Sequence, residues 1–240
     1  MTSGTSTTWK TAFRSFYYEH APEPDDPVLL AGKVALLVID VQNVYLARPD
    51  ADALNAAERA RYDAWTPFHD RMHGTVLPNI ARLQQAFRAG GHEVLHARIA
   101  CHTTDGRDRS LSQKLPGWNN LLLPKNDWES QIVADVAPVG DEIVVAKTTD
   151  SALTGTNLRL ILTNLGISHV VCCGIFTDQC IASSVRSLAD ESFFVLVPHD
   201  ACAAGSEALH RSELEIMNHI YGQVMATRDV LGYLPRDSRS

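Results

Sequence analysis

The chain has 240 residues, 45% hydrophobic and 20% charged, and its 21 Lys and Arg against 28 Asp and Glu give a formal charge of −7. That length holds one α/β domain with a proper core. The mildly acidic balance argues against nucleic acid or an anionic membrane as the main partner, and no apolar run is long enough to span a bilayer.

From the N-terminus, Met1 to Thr8 are polar and lack the apolar stretch of a secretory signal. Residues 1–31 read as an arm. Its aromatic side chains Trp9, Phe13, Phe16, Tyr17 and Tyr18 are expected to pack on the domain or on a second subunit. A Pro-rich acidic stretch over 22–27 then breaks the chain. A single domain is expected over 32–234, with a tail over 235–240.

Six short apolar runs follow, over residues 34–39, 93–99, 142–146, 169–175, 193–197 and 223–227. The central ones are continuously apolar, as parallel strands covered on both faces require. Between them, helical spacing is expected over 75–89, 156–165, 180–189 and 206–220, with Gly90-Gly91 and Gly166 as C-terminal stops. This alternation predicts an α/β fold, a doubly wound, mostly parallel six-stranded sheet with helices on both faces. Residues 46–73 read as irregular, with 53–64 compatible with a helix. Residues 101–125 read as a second long connection, of the kind that forms lids or pocket walls.

The five cysteines are odd in number and follow no scaffold spacing. Reduced thiols and a cytoplasmic location are therefore expected. Cys172 and Cys173 lie inside a strand and fit simple packing. Cys180 follows the fourth strand at the start of a helix, where orphan N–H groups and the positive dipole end stabilise a thiolate. Asp40 ends the first strand, and its ordinary role would be a turn or cap. Lys147 ends the third, where a solvated amine is the ordinary reading. Taken together, the three come from strand ends that converge on one crevice in a doubly wound sheet. There they form a thiol, a base and an ammonium, the parts of an activated nucleophile.

Three stretches in this order, LLVIDVQNVY at 36–45, residues 143–157 around Lys147, and GIFTDQC at 174–180, resemble the isochorismatase-like cysteine hydrolases. The resemblance covers most of the chain, from Gly32 to the end of the last strand. It implies a catalytic triad of Asp40, Lys147 and Cys180, and a homo-oligomer, dimer or tetramer, with the aromatic arm as a contact. It also implies a cis peptide at Ile175–Phe176, with the N–H groups of Phe176 and Cys180 as oxyanion donors. Asn43 and Tyr45 after the first strand, with Trp128 and Gln131 before the third, resemble the ureidoacrylate, carbamoyl and biuret-type amidohydrolases.

The reaction this implies is hydrolysis of a C–N bond in a small amide or ureido substrate, with release of ammonia. Asn43, Tyr45, Arg98, Trp118, Ile175 and Phe176 are the candidate substrate contacts, with loop packing as the ordinary role of Asn43 and Tyr45. Arg98, and Arg107 or Arg109, are positioned in sequence to grip a substrate carboxylate, or to remain solvated charges. No cofactor is expected. The ten histidines are scattered, with no paired CxxC or HExxH, and the Asp-x-His motif of nicotinamidases is missing, so no metal is expected. Two other readings of the same residues are a cysteine phosphatase loop over Cys180–Arg186, although it has no glycine, and a non-catalytic scaffold.

Overall fold

The six apolar runs become strands of one sheet in the computed structural model, which describes residues 8–117 and 119–235. They are β1 (Val34–Ile39), β2 (Glu93–Ile99), β3 (Ile143–Lys147), β4 (His169–Ile175), β5 (Phe194–Pro198) and β7 (Gln223–Met225). The sheet has a seventh member, β6 (Cys202–Ala203), so the six-stranded expectation is one strand short. Two residues carry no periodicity that a sequence reading could detect. All pairings are parallel, in the order β3-β2-β1-β4-β5-β7 with β6 alongside β4. Every residue of β1 is buried, as a strand covered on both faces must be.

The helices are α1 (Asn43–Leu46), α2 (Ala56–Arg71), α3 (Leu77–Ala89), α4 (Leu158–Asn164), α5 (Ala182–Asp190), α6 (Glu207–Met217) and α7 (Thr227–Tyr233). The expectation of an irregular segment over 46–73 needs correction, because α2 occupies most of it. Asn55 starts α2 with a capping box, accepting the N–H groups of Ala57 and Glu58 while Glu58 accepts that of Asn55. The helix runs through Pro67 and passes by a wide turn, Met72–Val76, into α3. α3 turns Leu77, Ile80, Leu83 and Phe87 to the core. The last apolar run, expected as a strand over 223–227, is a strand only over Gln223–Met225. Thr227 starts α7 instead, its N–H and hydroxyl both donating to Asp200.

The described part of the arm packs on its own domain. Trp9 donates to the Tyr233 hydroxyl, and Asn218 donates to the carbonyls of Ala12 and Phe13. Phe16 and Tyr17 remain exposed.

The strand order places the site. The chain runs outward from β1 to β2 to β3, then returns to the other side of β1 for β4. Such a reversal leaves a crevice beyond the carboxyl ends of β1 and β4. The two strands approach so closely there that a Cβ on Gly174 would collide with the Ile39 carbonyl, at a φ of +119°. Only glycine fits.

Candidate active site

Asp40 follows β1 with φ +55°, a left-handed conformation that Asp tolerates better than most residues. One carboxylate oxygen, Oδ1, accepts the Ile99 N–H at 2.9 Å. Fully buried Gln42 braces the same place, accepting the Ile99 N–H and donating to the carbonyls of Ile99 and Ser130. The second oxygen, Oδ2, lies 2.8 Å from Lys147 Nζ. That ammonium donates to Cys180 Sγ at 3.4 Å and to the Thr149 carbonyl at 3.1 Å. Three donors thus face three neighbours. The three expected groups do meet, and none of them is more than 4% exposed.

Their electrostatics follow from that burial. Desolvation raises the Asp40 carboxyl above its ordinary value, against the pull of Lys147. Burial acts to lower Lys147, but its partners, Asp40 first and Cys180 after it, outweigh that and raise the ammonium above its ordinary value. Burial and the Asp40 charge push the Cys180 thiol well up, with Lys147 opposing. These directions favour the ammonium at Lys147 and the neutral thiol at Cys180. A carboxylate with a raised pKa is a stronger base than an exposed one. Asp150, not singled out by the sequence, brings a second carboxylate to 4.0 Å from Sγ.

Cys180 sits in a wide turn, Thr177–Ile181, just ahead of α5. The Ile181 N–H donates across that turn to the Phe176 carbonyl. The Ile175–Phe176 peptide is cis. Residues 182–190 are helical, and Arg186 pairs with Glu213 at 2.6 Å over the Tyr221 ring. No phosphate cradle forms between Cys180 and Arg186, which removes the phosphatase loop.

Phe176 and Tyr45 meet edge to face at 5.4 Å, and Phe68 and Trp65 pack on Phe176 from α2. Beside them opens a cleft of about 640 Å³ lined by Tyr45, Arg48, Tyr62, Trp65 and Phe176 among others. Burial, with Asp40 next in weight, pushes the Tyr45 phenol up, which keeps it neutral. A hollow of about 700 Å³ at the opposite edge of the sheet, among His169, Phe194 and Tyr221, is remote from these groups.

The other expected contacts fare differently. Arg98 donates to the carbonyls of Ser130 and Lys125 and to the Ser130 hydroxyl. Its guanidinium braces the loop, which corrects its expected role as a carboxylate grip. Arg107 pairs with Asp105, and Arg109 donates to the carbonyls of Gly106, Gln113 and Leu121. Asn43 donates to the Trp128 carbonyl. Ile175 is wholly within the core. Trp118 lies outside the described residues. Arg48, which sequence reasoning passed over, lines the cleft with its guanidinium 3.4 Å above the Tyr62 ring. Cys172 and Cys173 are fully buried, and burial pushes their thiols well up, as packing residues.

Residues 34–229 match the family model described as the isochorismatase domain. The chain belongs to the isochorismatase family. Family relatives include the N-carbamoylsarcosine amidase of an Arthrobacter species, 27% identical over 180 residues, 72% of this chain and 67% of that protein. The ureidoacrylate amidohydrolase RutB of Pantoea ananatis is 28% identical over 218 residues, 84% and 83% of the two chains. Among solved structures, a cysteine hydrolase from Pseudomonas syringae superposes with a TM-score of 0.71 at 22% identity, covering 86% of this chain and 94% of that one. That likeness shows the shared family fold. No helix of the described residues is long and apolar enough to cross a membrane.

Proposed function

We propose that this isochorismatase-family chain is a cysteine-dependent amidohydrolase that cleaves a C–N bond in a small amide or ureido compound. The observation that carries the reading is the buried cluster in which one ammonium lies 2.8 Å from the Asp40 carboxylate and 3.4 Å from the Cys180 sulfur. The amide and ureide chemistry named for its relatives supports the same class.

In this reading Asp40 takes the thiol proton while Lys147 stabilises the thiolate. The sulfur attacks the carbonyl carbon, and the N–H groups of Phe176 and Cys180 receive the oxyanion. Asp40 then returns its proton to the leaving nitrogen, which departs as ammonia. A thioester or thiocarbamate remains on Cys180. Water, deprotonated by Asp40, releases the acid. Asp40 is preferred over Asp150 as base because burial raises its basicity and Lys147 fixes its orientation.

The substrate enters by the aromatic cleft, where Tyr45, Trp65 and Phe176 favour a flat or apolar group. Arg48 and Arg61 are the guanidinium groups lining it, so a substrate carboxylate meets those and not Arg98. A cytoplasmic homo-oligomer, with the exposed Phe16 and Tyr17 as contacts, completes the reading.

An ammonia-release screen over ureido and amide substrates tests it, with wild type beside Cys180→Ser and Cys180→Ala. Turnover by wild type alone supports the reading. Retained turnover in either variant removes the nucleophile assignment.

A further inference from the structure

A chain of polar groups outside the catalytic cluster, half-buried at Arg71 and buried beyond it, ends on the loop that carries Cys180. Arg71, the last residue of α2, donates to His210 Nε2 at 2.8 Å. His210, on α6, meets the Thr177 hydroxyl through Nδ1 at 2.7 Å. Both His210 and Thr177 are buried. Thr177 is the first residue of the nucleophile turn, next to Phe176 and three residues before Cys180.

The protonation pattern of this chain is determined by its chemistry. A guanidinium has only donors, so His210 Nε2 must accept. The imidazole is then neutral with its proton on Nδ1, and Nδ1–H donates to Thr177 Oγ1. Burial and the nearby charge of Arg71 push the His210 pKa down to about 3, which keeps the ring neutral. The groups that face it are Arg71, His199 and Thr177, with Glu207 paired to Arg71 at 3.3 Å on the exposed side.

Arg71 reaches the same loop by a second route. Its guanidinium donates to the carbonyls of Cys202 and His199. Cys202 belongs to β6, which pairs with Gly174 and Ile175 immediately before the turn. The two routes grip residues 174–177 from both ends. The helix they start from, α2, also supplies Trp65 and Phe68, which pack on Phe176.

We infer that Arg71, His210 and Thr177 form a positioning relay that holds the nucleophile turn in register with Lys147 and Asp40, with His210 fixed as the Nδ1–H tautomer. None of the three is a catalytic residue. They act by setting where Sγ lies relative to the ammonium. The inference rests on the reading of Cys180 as the nucleophile.

The test uses iodoacetamide on the full chain, with peptide mapping to report labelling at each cysteine across a pH series. Wild type labels selectively at Cys180. Thr177→Val and His210→Phe lower that rate by between about ten- and a hundredfold, the range an ångström-scale misplacement costs. They also move the labelling profile to higher pH, because the sulfur loses contact with the Lys147 ammonium. Thr177→Ser, which keeps the hydroxyl, restores both rate and profile. Selective wild-type labelling that Thr177→Val leaves unchanged overturns the relay alone. Absence of selective labelling in wild type overturns the nucleophile reading, and the relay with it. A purely structural role would lower the melting temperature and leave the pH profile in place, which also overturns the relay. A second measurement does not depend on the variants folding. Long-range ¹H–¹⁵N correlation spectra of the wild type show His210 protonated at Nδ1 alone from about pH 5 to about pH 9, where an ordinary histidine would titrate. A proton on Nε2 in that range contradicts the relay.

Discussion

Replacing Lys147 by Met removes the cation 2.8 Å from Asp40 in the buried cluster and roughly keeps the volume of the side chain. The carboxylate at 2.8 Å is then stranded in the core. Breaking a buried pair by removing one partner costs about 3–5 kcal/mol while the other stays charged. Asp40 has another option, which is to bind a proton. Burial already raises its pKa, and Lys147 is the strongest influence pulling it down. In Lys147→Met the folded carboxyl therefore holds a proton that the unfolded chain releases. The unfolded state binds fewer protons, so stability falls as pH rises, by up to about 1.4 kcal/mol per pH unit until the folded pKa is passed. Between about pH 5 and about pH 7 the variant should lose up to roughly 3 kcal/mol by this route. Asp40→Asn in the same background removes the titration, and Asn tolerates the left-handed backbone there. Urea unfolding of both variants at the two pH values measures the difference. A slope in Lys147→Met that vanishes in Asp40→Asn/Lys147→Met is expected. Equal slopes in the two would show that Asp40 is not the charge left behind, and would refute the coupling.

Activity should fall on acidification at a pH above the ordinary carboxylate range, because Asp40 must be ionised to accept the thiol proton and burial raises its pKa. A kcat/KM profile whose acid limb lies in the ordinary range would contradict this. Glu142→Gln should cost about 1.5–3 kcal/mol at neutral pH, since Glu142 takes two hydrogen bonds from Arg88 and one from the Val139 N–H. Burial would raise the Glu142 pKa, but Arg88 and Val139 hold it below its ordinary value. The cost should therefore shrink as pH falls through that lowered value, and melting curves showing the same cost in acid would contradict it. Gly174→Ala should cost about 3 kcal/mol or prevent folding, because its Cβ runs into the Ile39 backbone at a positive φ. A soluble variant with an unchanged melting temperature would contradict that reading.

Much of this fold is legible in the sequence because parallel strands buried on both faces leave continuous apolar runs. β1, β2 and β4 match their expected limits. β6 is invisible because two residues make no run. The full extent of α2 is hidden by Pro67, which signals a break that the surrounding contacts override. At the site, Asp40, Lys147 and Cys180 could be read because each follows a recognisable strand. The arginines could not. Arg98 sits at a strand end suited to binding, and only the folded path of residues 125–130 supplies the carbonyls that occupy it. Thr177 and His210 are 33 residues apart with no local pattern joining them. Their pairing exists only after α6 packs on the nucleophile turn.

Rapid acid quench during turnover reports the covalent role of Cys180. Wild type, mixed with a substrate found in the ammonia-release screen, is quenched and analysed as intact protein and as peptides. An adduct is expected on the peptide carrying Cys180, equal in mass to the substrate less ammonia. Neither adduct nor turnover is expected in Cys180→Ala. Ammonia release by Cys180→Ala, or steady turnover by wild type with the acyl group on a residue other than Cys180, would contradict that covalent role.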